Sequence, residues 1–521
     1  MSRLRLAPTV RLSVEYSDAN EFGSPMASRL NASLRELMAD LRRQIRELGP
    51  SAAVAQGGSL LQNFRNSERF RSVIDSNGRL LDRVLYPDPT LCKPTALRLT
   101  DTDTGAAFLF GVESALWPVV HDLIAMLAGD EQLFEGGFTA SAGYQELQRS
   151  LIPQLAVRDM VIRADSPRIL YQESTRSEWN SRAITWVGHN TAVVRSGQAS
   201  VVVDPWLLPT SKRYPEKFLP AQRAELGRID AIAITHSHPD HFDPATLLQF
   251  KCDTVIIVPR IERESLLAAA MKTRLVELGF ADVRELQWWE STQIDDIEIV
   301  ALPFYGEQPT SGEQLIPEVR NDGNVYQVRT PGVSCAFTAD SGRDSRGDVR
   351  DVGLEAYRRF GPIDFLFSGY RGWRGYPVQF VESSVPAYVL FVPPDLYAVR
   401  QSIMSDAAEA IDTAEYWHAR YFVPYADGGA PWFWEIGLGP TLDGSAGESR
   451  EWAGFDPLPE RALYELCARS APTPTAMASS PVEGVLMRAG ESVCILDGLP
   501  HIRKSTHHTW PWDALASRPI R

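Results

Sequence analysis

Cysteine is scarce in this chain. The five in 521 residues (Cys92, Cys252, Cys335, Cys467 and Cys494) are far apart, odd in number and without a CxxC pair. That spacing suggests neither a disulfide framework nor a zinc ribbon, and it suits small buried thiols in a reducing compartment. Long apolar runs are missing too. No stretch reaches the roughly 18 apolar residues that a spanning helix needs, and the opening MSRLRLAPTVRLSVEYSD has no apolar signal core, so no membrane role and a soluble, cytoplasmic protein are expected. Basic residues are in deficit, 52 Lys and Arg against 66 Asp and Glu, for a net charge of −14. An acidic surface argues against nucleic acid as the main partner, because phosphate binding needs a basic footprint. Internal repeats and low-complexity tracts are absent. What remains is a chain long enough for two or three domains, with 44% hydrophobic residues to fill their cores.

Histidine is also rare, at nine residues, yet three fall in one short stretch, Thr235-His236-Ser237-His238-Pro239-Asp240-His241. It follows the β-branched and alanine run 231–235, which reads as a buried strand, so the histidines sit in the loop at its C-terminal end. His236 and His238 are two apart and leave an extended segment on the same side, where they can grip one ion. Asp240 and His241 lie beyond a proline that bends the loop and can reach a second ion. The pattern His-x-His-x-Asp-His resembles the signature of the metallo-β-lactamase fold superfamily, whose members mostly bind two metals.

Residues 1–165 carry no assignable motif and read as an α+β N-terminal domain. A strand is expected over 10–16, a helix over 26–48 stopped by Gly49-Pro50, a turn at 56–59, a strand over 107–112 and a helix over 119–127. The leucine stripe of 30, 34, 37 and 41 with Ile45 reads as a core or dimer face. Polar residues 164–183 suit a domain boundary. A second regime starts at Ile184: strands over 184–187 and 192–195 flank Gly188-His189-Asn190, a turn at 196–198 follows, and a strand over 199–203 ends at Asp204-Pro205. A βαβ rhythm continues, with a helix over 244–250, a strand over 254–258, a helix over 261–278 and strands over 297–302, 326–328, 334–338 and 363–367. A helix near 396–418 and a strand over 421–424 complete it. These alternations predict an α/β protein, an αββα sandwich over 184–445 behind the N-terminal domain. Residues 446–521 read as a C-terminal extension packed on the sandwich, with a strand pair at 484–487 and 492–496.

Within the superfamily resemblance, Asp204 is expected to support the metal loop, and Asp340, in FTADSG, stands where the metal-bridging aspartate lies. Two departures are informative. After the strand at 299–302 most members supply a third histidine, but here the stretch is Pro303-Phe304-Tyr305-Gly306-Glu307-Gln308, and Glu307 is the only strong ligand. The last histidine is also missing, since the corresponding strand end reads Val423-Pro424-Tyr425-Ala426-Asp427-Gly428. The inferred metal set is therefore His236, His238, Asp240, His241, Glu307 and Asp340, with Glu307 and Asp340 counted as catalytic. Replacing a neutral imidazole by a carboxylate adds charge and a hard oxygen donor, which shifts preference from zinc toward iron. Asp427 or an exogenous ligand could fill the position left by the last histidine.

GHNTAVV, THSHPDHFDP, ALPFYGEQPT and FTADSGRD together look like the diiron β-hydroxylases of nonribosomal peptide and antibiotic biosynthesis. That resemblance implies two non-haem iron ions, O2 as co-substrate and an external electron donor. It implies hydroxylation at Cβ of an amino acid carried as an aminoacyl-phosphopantetheine thioester on a peptidyl carrier domain. It also implies that His236, His238 and Glu307 hold one iron and Asp240 and His241 the other, that Asp340 bridges, and that the N-terminal domain forms a homodimer. Benzylic Cβ–H bonds are weak, so an aromatic substrate is expected, with Trp186, Phe304, Tyr305, Tyr370 and Trp373 as candidate pocket walls. Weaker candidates are His189 as a support for a ligand, and Arg343, Arg346, Arg350, Arg358, Arg359, Arg371 and Arg374 as a docking surface for the carrier. The competing reading is a dinuclear-metal hydrolase of the same fold, cleaving a lactone, phosphodiester or amide.

Overall fold

Apolar residues on alternate positions of the strands divide between two cores, and this alternation builds the layers. In a computed structural model, residues 3–17, 32–48, 50–75, 93–130, 141–164, 183–212, 220–262, 270–306, 322–344, 346–370, 374–375, 397–398, 401–402, 404–426, 482–487 and 489–503 are described. The first sheet contains β6 (Ile184–Gly188), β7 (Thr191–Arg195), β8 (Ser200–Val203), β9 (Ala231–Ala233), β10 (Val255–Pro259) and β11 (Val283–Leu286). Its order is β11-β10-β9-β8-β7-β6-β21-β22, the last two being Ser492–Leu496 and Leu499–Arg503. The second sheet runs β12-β13-β14-β15-β16-β19-β20. Its members are β12 (Ser291–Ile294), β13 (Ile297–Pro303), β14 (Asn324–Arg329), β15 (Ser334–Phe337), β16 (Phe365–Ser368), β19 (Tyr421–Pro424) and β20 (Glu483–Gly484), and β17 (Arg374–Gly375) pairs with β18 (Gln401–Ser402) apart from it.

Val194, Val201, Val203, Ala233 and Ile257 of the first sheet pack on Ile299, Tyr326, Phe337 and Phe367 of the second, forming the inner core. Val193, Val202, Ile232, Ile256 and Val258 point the other way. Strands buried on both faces read as near-continuous β-branched runs, as 201–203 and 255–258 do. The outer face of the second sheet is covered by α8 (Val349–Phe360) and α9 (Ala407–Tyr416), through Val352, Ala356, Ala410 and Ala414. The result is the expected mixed α/β sandwich.

The outer face of the first sheet meets α6 (Pro244–Leu247), α7 (Met271–Glu277) and the N-terminal elements. Those are β1 (Arg3–Leu6), β2 (Val10–Tyr16), β3 (Pro94–Asp101), β4 (Ala107–Gly111), α4 (Trp117–Ala128), α5 (Ala142–Ala156) and β5 (Val161–Ala164), whereas α1 (Ala32–Leu48), α2 (Pro50–Asn66) and α3 (Glu68–Asp75) pack on one another, and Arg65 of α2 donates to Tyr397 Oη. Leu12, Leu97, Trp117 and Leu123 share one core with Val202, Ile232 and Phe250. A buried ion pair marks this seam: Arg223 Nη2 lies 2.9 Å from Asp130 Oδ2, and the guanidinium lies over the Phe250 ring. Asp130 Oδ2 also accepts from Lys251 N at 2.9 Å. Removing one partner from such a pair costs about 3–5 kcal/mol, since the other charge is left buried alone.

Several expectations are corrected. Residues 56–59 are not a turn but lie inside α2, where Gly58 packs beside Tyr397 and Ala398. Among the described residues of 396–418 the helix begins only at Ala407, where Asp406 and Glu409 form a reciprocal cap. The described part of the helix expected over 261–278 is Met271–Glu277. The strands near 484 and 492 do not pair with each other. Glu483–Gly484 extends the second sheet beside β19, and Ser492–Leu496 joins the first between β6 and β22. Cys252, Cys335 and Cys494 are free thiols, as expected.

Candidate metal centre

Asp204 and Thr235 emerge from the C-terminal ends of the parallel neighbours β8 and β9, Phe304 from the end of β13, Asp340 from the turn after β15, and Tyr425 and Ala426 from the end of β19. All the functional side chains therefore gather at one edge of the two sheets. Tyr326 Oη of β14 donates to Ile234 O at 3.0 Å and Asn324 N donates to Thr235 O at 2.8 Å, bracing the sheets together at the histidine loop. Gly323 is required there: a Cβ would lie 2.9 Å from Phe304 Cγ, 3.0 Å from Thr235 O and 3.1 Å from His236 Cβ.

The structure brings His236, His238, Asp240, His241 and Asp340 together. His236, His238 and Asp340 form one group whose donor atoms lie within 4.8 Å of each other, and His189, Asp240 and His241 form a second. Asp340 stands between them, with Oδ2 3.4 Å from His241 Nε2 and 4.0 Å from His236 Nε2. The three histidines of the loop and Asp340 are buried, while Asp240 is half-buried at the rim. Glu307, Asp427, Arg371 and Trp373 lie outside the described residues, and nothing is described of the Arg374 side chain.

One carboxylate orients two imidazoles. Asp204 Oδ1 accepts from Thr235 N at 2.7 Å, and its Oδ2 accepts from Thr235 Oγ1 at 2.6 Å and His241 Nδ1 at 2.8 Å. With the threonine proton committed to Asp204, Thr235 Oγ1 accepts from His236 Nδ1 at 3.0 Å. Both rings then carry the proton on Nδ1 and turn the Nε2 lone pair inward, the arrangement that a metal ligand needs.

The electrostatics fit a cation. Burial, with His241, His238 and His189 nearby, drives His236 well below the ordinary histidine range and keeps it neutral. Burial would push His241 the same way, but the carboxylates of Asp204, Asp240 and Asp340 outweigh it and raise His241 well above that range. Burial works to raise the Asp240 carboxyl; the charge of His241 and the hydrogen bond from His189 reverse this and hold it below the usual carboxylate range. His241 Nε2 and Asp340 Oδ1 are nevertheless buried without a hydrogen bond. A divalent ion would satisfy both atoms and displace the proton that the three carboxylates attract, so the residues present fit a metal pair.

Four of the nine non-glycine residues with positive φ among the described residues lie at the same place. His189 (φ 48°), Asp204 (φ 43°), Ala339 (φ 48°) and Ala426 (φ 52°) are non-glycine residues in the left-handed region, where a side chain costs energy and the surroundings must hold it. Tyr425 Oη accepts from Ala339 N at 2.9 Å, and Ala426 N donates to His189 O at 2.9 Å. Sequence reasoning missed this brace, but its reading of His189 as a support for a ligand agrees with the structure, where His189 Nε2 lies 2.9 Å from Asp240 Oδ2. The signal was Gly188 before it, in a two-residue turn aimed at the loop.

The candidate pocket aromatics divide. Trp186 is buried and its indole donates to His189 O at 2.8 Å, so it positions a loop. Phe304 packs on His236 at 5.1 Å between centroids, Tyr305 meets Trp288 at 5.5 Å, and Tyr370 belongs to the core under α8. Several of the arginines after Asp340 are already paired: Arg343 with Glu409, Arg350 with Asp348 and Asp412, and Arg358 and Arg359 with Glu355.

Comparison with known proteins agrees with this geometry. Residues 183–352 match the family described as beta-lactamase superfamily domain. The chain is 27% identical over 264 residues to the 4-amino-L-phenylalanyl-[CmlP-peptidyl-carrier-protein] 3-hydroxylase of Streptomyces venezuelae, covering 50% of this chain and 44% of that protein. It is 28% identical over 185 residues to the mitochondrial N-acyl-phosphatidylethanolamine-hydrolyzing phospholipase D of Saccharomyces cerevisiae, covering 34% and 37%. The alignments thus span less than half the length of these curated relatives. Among solved structures, CmlA, a diiron β-hydroxylase from Streptomyces venezuelae, superposes with a TM-score of 0.55 at 17% identity over 93% of this chain and 98% of that one. The metallo-β-lactamase fold, and the resemblance to the diiron β-hydroxylases read from the motifs, both hold.

Proposed function

We propose that this protein is an O2-dependent diiron monooxygenase that hydroxylates the β-carbon of an aromatic amino acid, held as a thioester on a peptidyl carrier domain of a nonribosomal peptide synthetase. The observation that carries the reading is the pair of histidine–carboxylate groups joined by Asp340, in a chain that offers Glu307 where related folds offer a histidine. Similarity to a hydroxylase whose name specifies a carrier-protein substrate supports the partner and the aromatic side chain. In this reading His236, His238 and Glu307 would hold one iron and Asp240 and His241 the other, with Asp340 shared between them. The bound pair supplies two-electron activation of O2, so that one oxygen atom enters the Cβ–H bond and the other leaves as water, with two electrons from an external reductant and two protons.

The chain's own residues have definite tasks. Asp204 keeps His241 in the tautomer that presents Nε2, and through Thr235 it does the same for His236. Phe304 covers the His236 ring and keeps water from that side. The half-buried carboxylate of Asp240 marks the open rim from which a tethered substrate enters. The protein works in the cytoplasm as a homodimer built through residues 1–165, with residues 446–521 as an extension of the catalytic unit at 184–445. The test is turnover of an aromatic aminoacyl-carrier thioester by the iron-loaded protein with a reductant and isotopically labelled O2. One labelled oxygen on Cβ is expected. Cleavage of a lactone, phosphodiester or amide without O2 uptake would give the site to a hydrolase instead.

A further inference from the structure

The second group of donors contains a histidine that the metal loop does not supply. We propose that His189, in the turn between β6 and β7, is a ligand of the second metal ion, placed beside the strand end where the chain carries Ala426. The inference rests on the metal-centre reading above and adds a residue to it.

Distance, burial and backbone each support it. His189 Nε2 lies 2.9 Å from Asp240 Oδ2, and that oxygen lies 3.8 Å from His241 Nε2. Metal–donor bonds of about 2.1 Å give neighbouring donors separations of about 3.0 Å in an octahedron and about 3.4 Å in a tetrahedron. The first separation matches an octahedral edge, the second is about 0.4 Å longer than a tetrahedral one, and all three donors lie within 4.8 Å of one another, so a small turn of the Asp240 carboxylate closes them around one ion. His241 Nε2 is buried, makes no hydrogen bond, and faces this space. His189 is itself buried and its backbone is locked on three sides. Its carbonyl accepts from Trp186 Nε1 and Ala426 N, the Asn190 side chain donates to Asp240 O, and φ is left-handed. A strained, cross-braced turn that delivers an imidazole to a carboxylate is a costly way to make a surface hydrogen bond and an effective way to fix a ligand. It also places the imidazole where Ala426, at the end of β19, has no donor side chain.

Cobalt(II) titration of the full-length protein, followed by visible absorption and elemental analysis, separates the possibilities. His189→Asn tolerates the left-handed turn, and His189→Gln keeps an amide N–H able to bond Asp240. Wild type is expected to take up two cobalt ions per chain. Both variants, with circular dichroism unchanged, are expected to keep one and bind the second at least tenfold more weakly. Two cobalt ions at wild-type affinity in His189→Gln would overturn the inference, reducing His189 to a hydrogen-bonding support while the metal centre stands. Wild type that binds no cobalt would remove the metal centre and the inference together. Hyperfine-shifted imidazole N–H resonances of the wild-type cobalt protein give a check that needs no variant. One resonance is expected from each of His189, His236, His238 and His241, and the absence of the one from His189 would also overturn it.

Discussion

Asp204→Asn is the change with the most legible consequence. The side chain is fully buried and accepts three hydrogen bonds, from Thr235 N on Oδ1 and from Thr235 Oγ1 and His241 Nδ1 on Oδ2. An amide keeps the shape but turns one acceptor into a donor. Placed at Oδ1, the NH2 would face the fixed backbone N–H of Thr235; placed at Oδ2, it faces a hydroxyl that can rotate and an imidazole that can change tautomer. The second placement costs less, and it has a chemical result: His241 accepts on Nδ1 and carries its proton on Nε2, the atom that points at Asp240 and Asp340. Ligation then requires reversing the tautomer. Loss of such a supporting carboxylate lowers metal affinity about 10–100-fold, or about 1.4–2.7 kcal/mol. Competition against a chromophoric chelator measures it, with thermal melting of the metal-free protein to confirm that the fold persists. Two ions at wild-type affinity in Asp204→Asn would refute the tautomer argument.

Glu307→His is expected to shift the bound metal from iron toward zinc and to abolish oxygenation; unchanged iron content and turnover would sink the assignment of Glu307 as a ligand. His121 is buried, packs on Phe280 and donates through Nε2 to Phe250 O at 2.6 Å, and burial brings it from 6.5 down to about 4. Between those values the unfolded chain binds a proton that the folded chain refuses. Its contribution is therefore complete above pH 6.5 and is lost as pH falls through the window, by up to about 3 kcal/mol. Denaturant melts of His121→Gln should show a shallower loss of stability between pH 6.5 and 4 than wild type; parallel curves would contradict this. Gly353 of α8 lies under the Trp417 ring, where an added Cβ would come within 1.8 Å of Cδ1. Gly353→Ala should cost about 1–3 kcal/mol by overpacking, seen as a lowered melting temperature, and an unchanged melt would contradict the packing described.

The clustering of the candidate ligands was readable because its information is local: His236, His238, Asp240 and His241 lie within six positions after a strand. Asp204 and Asp340 were readable because each ends a strand and opens a turn. The inner strands announced themselves through β-branched runs buried on both faces. What escaped depends on distant contacts. Gly57-Gly58 looks like a turn and is helical because it lies in the middle of a helix that Pro50 restarts. The hairpin of Ser492–Leu496 with Leu499–Arg503 carries an Asp-Gly signal, Asp497 and Gly498 both having positive φ. Pro500 and the polar residues beyond it hid the second strand. That this hairpin would dock beside β6, some 300 positions earlier (492 against 185), is written nowhere in its own residues. The same holds for His189 and Asp240, which nothing but the fold brings within 2.9 Å.

The two histidine–carboxylate groups are expected to bind iron and not zinc. Elemental analysis of protein expressed without added metals, together with its ultraviolet-visible spectrum, tests it most directly. About two irons per chain and the absorption of an oxygen-bridged ferric pair are the predicted result. Zinc with no chromophore, persisting after reconstitution with iron, would rule out a diiron oxygenase and leave Glu307 without a role.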